Sequence, residues 1–296
     1  MNVLVMGAGA VGCYYGAMLA RAGHAVTLVG RPRHVDEVNA HGLLFEKEGT
    51  AVRVPMRGST SVDAFAADAD LVLFCVKSGD TESAGQALGA WLAPGAFVLS
   101  LQNGVDNAER LAAVLGREVV PAIVYVGCEM AGAGHVRHHG RGELVIGPSN
   151  RSDAMAAQLS TAQVPTQVSP DVAAALWEKL IINCALNALS AIAYMPYGEI
   201  VRRPGAPEVV HDLVTECLAV ARACGVTLAV DAHASVQRVV DAMPNQRSST
   251  AQDLRAGKRS EIDHINGYVV RQGAARGVPT PVNRVLHTLV RMMEKG

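Results

Sequence analysis

The opening stretch, MNVLVMGAGAVGCYYGAMLARAGHAVTLVGRPR, holds the pattern that most restricts how this chain can fold. A short apolar run over Asn2–Met6 reads as a strand. It turns at once on Gly7-Ala8-Gly9-Ala10-Val11-Gly12 into a stretch of helical composition, Val11–Ala22, and a second apolar run follows at Ala25–Val29. A lone GxGxxG is a weak signal, but between a strand and a helix it has a mechanism. The first glycine permits the tight turn, the second leaves room for a pyrophosphate against the backbone, and the third lets the helix pack on the strand. The helix N-terminus then offers N–H groups and partial positive charge to the phosphates. This context favours a dinucleotide turn over a fortuitous glycine run.

The alternation continues through the first half. Apolar runs at Leu71–Val76, Phe97–Leu101 and Val119–Val126 alternate with helical stretches at Asp80–Leu92 and Asp106–Leu115, which implies a parallel sheet with helices on both faces. Gly42–Arg57, with Gly49 in its middle, reads as an inserted hairpin, and His135–Ile146 as another short strand pair. Beyond Pro165 the texture changes. Residues 171–194, 207–224, 231–242, 249–257, 261–276 and 282–294 all fit amphipathic or buried helices, and Pro165 and Pro170 bracket a linker. For 296 residues two domains are expected. The predicted architecture is α/β: an N-terminal Rossmann-type doubly wound parallel sheet over residues 1–168, binding NADP, then a C-terminal all-helical domain over 169–296 for substrate and catalysis, with a cleft between them.

Composition narrows the partners. Half the residues are apolar, 18% are charged and the net charge is -1, which excludes a disordered chain and argues against nucleic acid. The six cysteines are dispersed without a CxxC and read as free thiols of a reducing compartment. The uncharged N-terminus imitates a signal peptide, but no Lys or Arg precedes it and the glycine pattern interrupts it. The apolar run Leu180–Tyr194 carries Asn183 and Asn187 and falls short of the ~20 residues a span needs. A soluble cytoplasmic protein with no membrane partner is expected.

Strand ends carry the candidate cofactor residues. An NAD site wants an acid at the tip of the second strand, whereas a 2′-phosphate wants Arg. Here the tip reads Val29-Gly30-Arg31-Pro32-Arg33, with Asp36 and Glu37 too late and expected in a following helical turn. NADP(H) is therefore preferred, with Arg31 the phosphate ligand and Arg33 a second candidate; two surface arginines capping a strand remain the alternative. Lys77, after Leu71–Val76, could neutralise phosphate charge, and Asn103, after Phe97–Leu101, could bond a nicotinamide amide or a substrate.

The stretch LWEKLIINCALNALS at 176–190 places Lys179, Asn183 and Asn187 at i, i+4 and i+8, on one helix face. The surroundings are apolar, and burying an amide without a partner costs roughly 1–3 kcal/mol. The stripe therefore suggests a polar ligand or an interhelical polar network. Carbonyl reduction favours the first: a developing alkoxide needs a proton, which a lysine ammonium supplies while stabilising the charge. Asparagine amides could then hold a carboxylate or hydroxyl.

Several motifs in order give the chain a recognisable pattern: GAGAVG at 7–12, Arg31, VKS at 76–78, QNG at 102–104, LWEKLIINCALNALSAI at 176–192, PYGEI at 196–200 and SSTAQDLRAGKRSEIDHINGYVV at 248–270. Along nearly its whole length the sequence resembles the ketopantoate reductase (2-dehydropantoate 2-reductase) family. The resemblance implies NADPH-dependent reduction of ketopantoate to pantoate, in the route to pantothenate and coenzyme A. It implies Lys179 as general acid and Glu261 as the acid that contacts the substrate hydroxyl and orients the lysine. It also implies Asn103, Asn183, Asn187 and Ser249 as substrate ligands, and Arg31 and Lys77 as cofactor phosphate contacts. From the residues alone, Glu261 reads only as a dipole-favoured helix start. IVYVGCEM at 123–130 departs from the Thr/His-containing strand of the family, which leaves another 2-oxo acid as an alternative substrate. A non-catalytic NADP(H) sensor is a further alternative, disfavoured by the retained proton-transfer groups.

Other signals are set aside. His135, His138 and His139 lie in a glycine-rich stretch with no carboxylate at ligand spacing, so a solvated hairpin is expected rather than a metal site. Cys217 and Cys224 fit a packed helix face, and the adjacent Asp263 and His264 do not share a face with Glu261. Apolar helical faces permit a homodimer.

Overall fold

The computed structural model describes residues 1–294. Two compact units emerge: Met1–Gln102 with Asp106–Val172, and the turn Asn103–Val105 with the chain from Ala173 onward. The first unit holds strands β1 (Asn2–Met6), β2 (Ala25–Val29), β3 (Leu43–Lys47), β4 (Thr50–Val54), β5 (Arg57–Ser59), β6 (Leu71–Phe74), β7 (Phe97–Ser100), β8 (Val120–Gly132), β9 (His135–Ile146) and β10 (Thr166–Val168). Its helices are α1 (Ala10–Arg21), α2 (Pro32–His41), α3 (Ala64–Ala67), α4 (Thr81–Gly89), α5 (Asn107–Leu115) and α6 (Ser152–Thr161).

The strands form one sheet in the order β4-β3-β9-β8-β7-β6-β1-β2-β5, with β10 along β9. Strands β5, β2, β1, β6, β7 and the start of β8 run parallel. Side chains alternate between two apolar cores. Val3, Val5, Leu28, Leu73 and Leu99 pack with Tyr15 and Leu19 of α1, while Leu4, Met6, Val72, Phe74 and Val98 pack with Leu88 of α4 and Leu111 of α5. Helices on both faces explain why β6 and β7 read as unbroken apolar runs. Because β1 lies between β2 and β6, connections leave it in opposite directions, and the crevice at its C-terminal end is where such sheets take ligands.

The structure corrects three sequence expectations. His135–Ile146 is one long strand rather than a strand pair; it runs antiparallel to β8, which extends well past Val126 to Gly132. Register shifts at Tyr125/Val126, Gly127/Cys128 and Met130/Gly132 break the simple alternation by which a strand is recognised. The Pro165–Pro170 segment is no mere linker, since β10 pairs with Leu144–Ile146. The helix expected over 261–276 starts only at Asn266, after a 3-10 turn at Ile262–His264 and a break at Ile265 (φ -109°, ψ -102°). The hairpin at Gly42–Arg57 is present as β3 and β4, and Asp36 and Glu37 lie in α2.

The second unit contains α7 (Val172–Ala193), α8 (Tyr197–Ile200), α9 (Ala206–Ala223), α10 (Ala232–Ala242), α11 (Ser249–Arg255), α12 (Asn266–Arg276) and α13 (Pro281–Met293). Helix α7 is the spine. Its Trp177, Leu180, Ile181, Cys184 and Leu186 pack with Val214, Cys217 and Val220 of α9 and with Val236 and Val240 of α10. Among the described residues it is the one helix long and apolar enough to cross a membrane, but half of its most apolar stretch is buried within the protein. Helix α13 has no side-chain cap of its own. The carboxylate of Glu216 on α9 substitutes, accepting from Val282 N at 2.8 Å, Asn283 N at 3.0 Å and Asn283 Nδ2 at 2.8 Å.

Asp263 in the 3-10 turn binds α13 through His287 Nε2 (2.7 Å) and Arg291 Nη1 (3.2 Å). Burial alone would raise its carboxyl. The hydrogen bond from His287 and the charges of Arg291, His287 and His264 outweigh that and hold it below the ordinary 3.8. A lowered acid contributes fully above its unfolded value and loses the contribution as pH falls through the folded one. Asp263→Asn is therefore expected to lower the thermal midpoint at neutral pH, with the deficit shrinking as the pH is taken below 3.8. Thermal melts across that range check it; a deficit independent of pH would contradict it.

Candidate active site

The glycine turn has a separate reason for each glycine. Gly7 sits at φ +110°, and a Cβ there would lie 2.8 Å from the Cys75 carbonyl and 2.9 Å from Val76 N, so the turn lies directly on the chain leaving β6. A Cβ on Gly12 would come 2.1 Å from Gly7 O and 2.9 Å from Val5, which makes α1 pack against β1 at backbone distance. A Cβ on Gly9 would meet nothing within 4 Å, so the turn is open on that side. Gly7 N and Ala8 N both donate to Val29 O at 3.0 Å, anchoring the turn on β2. Helix α1 starts at Ala10-Val11-Gly12 with no side-chain cap at Gly9, an arrangement suited to an anionic pyrophosphate.

Arg31 is exposed at the N-cap of α2, with Pro32 next, at the end of β2 as expected. Arg33 is exposed in the first turn of α2, and Glu37 pairs with Arg53 at 3.1 Å. Lys77 is exposed after β6 and precedes a 3-10 turn at Ser78–Asp80. Beneath it lies a buried polar network that the sequence reading missed. Gln102 Nε2 donates to Val76 O (3.2 Å) and Thr81 Oγ1 (2.8 Å), and Asn107 Nδ2 donates to Ser78 Oγ (3.1 Å). Arg110 clamps Glu82 with two 2.7 Å bonds and reaches Ser78 O at 3.0 Å. These contacts hold the VKS loop. The signal was four polar residues, Ser78, Thr81, Gln102 and Asn107, just after apolar strands; only burial separates them from ordinary loop residues.

In the second unit α7 is continuous, so Lys179, Asn183 and Asn187 do share one face, spaced over about 12 Å. Lys179 and Asn183 are half-buried and Asn187 is buried. Glu261 is buried ahead of the 3-10 turn, and its Oε2 accepts from Asn103 Nδ2 at 3.1 Å. Two candidate residues 158 positions apart are thus in contact, and the turn that carries Asn103 groups with the helical unit. Ser249 is exposed at the first position of α11. Its neighbour Ser248 caps that helix through Ala251 N (3.1 Å) and donates to Asn187 O (3.0 Å), tying the start of α11 to the stripe.

The remaining signals fall elsewhere. Contrary to expectation, the histidine stretch does have carboxylates beside it: His135 meets Glu46 at 2.8 Å, His139 meets Glu129 at 3.3 Å, and Arg137 bonds both acids. Neighbouring strands β3 and β8 supply them, which spacing within β9 could not reveal. Among the described residues no group of three or more His, Cys, Asp or Glu is placed to hold a metal. All six cysteines are free, and Cys217 is buried, its thiol 3.8 Å from Asn283 Oδ1. Burial pushes the thiols of Cys13 and Cys128 up to about 12 and raises that of Cys75. Thiols held protonated this way are poor nucleophiles.

A Rossmann-type sheet with this turn, joined in one chain to a helical unit bearing the polar stripe, defines a dinucleotide-binding oxidoreductase. The family model "Ketopantoate reductase PanE/ApbA" matches residues 3–151, and its C-terminal counterpart matches 171–294. The chain belongs to the ketopantoate reductase family. It is 37% identical to the 2-dehydropantoate 2-reductase of Halobacterium salinarum, covering 100% of this chain and 99% of that one. A crystal structure of a PanE/ApbA family ketopantoate reductase from Ralstonia eutropha JMP134 is 56% identical, with a TM-score of 0.96 over 99% of this chain and 98% of that one. A ternary structure of D-mandelate dehydrogenase with NADH and anilino(oxo)acetate is 25% identical, with a TM-score of 0.93 over 99% and 98%.

The glycine geometry gives a paired expectation. Gly12→Ala should destabilise the protein by about 1–3 kcal/mol, because a methyl group is forced against backbone. Gly9→Ala should leave stability within about 0.5 kcal/mol while sharply weakening dinucleotide binding. Denaturant midpoints and cofactor titrations of both variants measure this; equal stability losses would contradict it.

Proposed function

We propose that the protein catalyses NADPH-dependent reduction of the 2-oxo group of ketopantoate to give pantoate, a step toward pantothenate and coenzyme A, as a soluble cytoplasmic enzyme. The observation that carries this is the Lys179–Asn183–Asn187 stripe on a helix whose other residues build an apolar core. The full-length similarity to 2-dehydropantoate 2-reductases supports it.

The two parts of the chain divide the work. Gly7 to Gly12, with Ala8, Ala10 and Val11, bind the pyrophosphate at the start of α1, and Arg31 and Lys77 supply positive charge for the phosphates, Arg31 that of the 2′-phosphate. The bound reduced dinucleotide supplies the hydride. Asn183, Asn187 and Ser249 hold the substrate's polar groups, and Asn103 binds at the same site. Lys179 stabilises the negative charge developing on the carbonyl oxygen and donates the proton. Glu261, oriented by Asn103, accepts from the substrate hydroxyl and helps hold the lysine.

A second reading is favoured by the likeness to D-mandelate dehydrogenase: the same build would reduce a different 2-oxo acid. The departing segment 123–130, in β8, leaves room for that reading. A panel of 2-oxo acids with NADPH and NADH separates the two; ketopantoate is expected to give the highest kcat/KM.

Lys179→Ala is expected to lose more than about a hundredfold in kcat, as the loss of a general acid predicts, with the fold retained. Robust turnover in that variant overturns the assignment. Arg31→Ala should weaken NADPH binding and spare NADH; equal losses for both would refute the 2′-phosphate contact.

A further inference from the structure

Tyr197 is a residue to which nothing above assigns a role. It opens α8 after Pro196, and the short helix is tied to the segment before α11: Tyr197 N donates to Gln246 O at 2.9 Å and Gly198 N to Pro244 O at 2.8 Å. A Cβ on Gly198 would lie 2.9 Å from Pro244 Cβ, so only glycine permits this approach. The attachment brings the phenol of Tyr197 to α7, where its hydroxyl donates to Asn187 Oδ1 at 3.3 Å.

Asn187 is held from two sides. Its carbonyl accepts from Ser248 Oγ at 3.0 Å, Ser248 N donates to Ser190 Oγ at 3.1 Å, and Ser190 Oγ donates to Met195 O at 2.8 Å. The residue is 2% exposed and Tyr197 8% exposed, so solvent does little to satisfy either group. Burial lifts the phenol to about 12, and it keeps its proton at neutral pH.

We infer that Tyr197 is a positioning residue that fixes the Asn187 amide with Oδ1 toward the phenol, so that Nδ2 is the group offered to the substrate. An asparagine amide is nearly symmetric in shape but not in chemistry: one end accepts and the other donates. Flipped, the amide would donate Nδ2–H to the phenol oxygen and leave the buried phenol proton without an acceptor, the costly outcome for a desolvated hydroxyl. The locked amide therefore presents N–H donors and selects an oxygen acceptor, a carboxylate or hydroxyl, at that point of the substrate. This rests on the proposed role of Asn187 as a substrate ligand. It adds that the specificity of the residue is set by a tyrosine that need not touch the substrate.

The test compares wild type, Tyr197→Phe, Asn187→Ala and the double variant with ketopantoate and NADPH. Tyr197→Phe keeps the ring in the core and removes only the hydroxyl. It is expected to raise KM about five- to thirtyfold, with kcat within about threefold and NADPH affinity unchanged. On the Asn187→Ala background the same substitution should add nothing, because the amide it orients is gone. Independent, multiplying effects, or an unchanged KM in Tyr197→Phe, would overturn the inference. A wild type inactive on every 2-oxo acid would instead refute the proposed function. In that case nuclear magnetic resonance still decides about Tyr197: its hydroxyl proton, bonded to Asn187 Oδ1, should exchange slowly with solvent in wild type and rapidly in Asn187→Ala. Equal exchange would overturn it. Should Tyr197→Phe fail to fold, Asn187→Asp keeps an acceptor for the phenol but replaces the donor, and should raise KM at least as much. An unchanged KM there would overturn the inference as well.

Discussion

Backbone meets backbone where Gly7 lies on the Cys75–Val76 peptide and Gly12 lies on Gly7 O. No side chain beyond hydrogen fits between these segments, so the contact sets how closely α1 approaches β1 and how the turn sits on β6. The approach also brings the end of β1 beside the strand at which the winding of the sheet reverses. The glycine turn, the Arg31 tip and the VKS loop all leave neighbouring strands of the same parallel set, and their positions follow from strand order and from the backbone contacts of the glycine turn with β2 and the chain after β6.

The helical unit obeys a different constraint. Its core is apolar, yet α7 carries a lysine and two asparagines through it, and Asn266, Asn283 and Glu261 are buried as well. Each buried polar group must find a partner or destabilise the fold by the cost of desolvation. Most do so within the unit. Glu216 caps α13, Asn266 Nδ2 bonds Cys184 O at 3.1 Å and Asn283 Oδ1 at 3.0 Å, and Asn103 meets Glu261. Asn266 Oδ1 is an exception, buried with no hydrogen-bond partner among the described residues, while the pairings of Glu216, Asn266 Nδ2 and Asn283 brace the helices. They hold the α7 stripe in place without filling the core with free charge.

How legible the molecule was in its sequence depended on the range of the physics involved. Strands β1, β2, β6 and β7 and helices α7, α9, α10 and α13 follow from apolar periodicity, a local property, and their ends fall within a few residues of expectation. The long β8–β9 ribbon did not, because its bulges and glycines spoil the alternation while pairing restores it. Strand β10 is three residues whose only reason to be extended is the edge of β9. In the candidate site, the spacing of Lys179, Asn183 and Asn187 was readable from helix geometry alone. The Asn103–Glu261 contact was not, since nothing local marks Glu261 apart from its resemblance to the family.

The sequence by itself determined the glycine turn, the α/β-then-helical order and the polar stripe, because turn sterics and helical periodicity act over a few residues. Only the tertiary structure decided which polar groups meet. It placed the Asn103 turn with the helical unit, put Glu46 and Glu129 beside the histidines, and brought the Tyr197 hydroxyl to Asn187. Those pairings join residues distant in the chain, and a hydrogen bond depends on a few tenths of an ångström and on orientation, which no spacing rule along the sequence supplies.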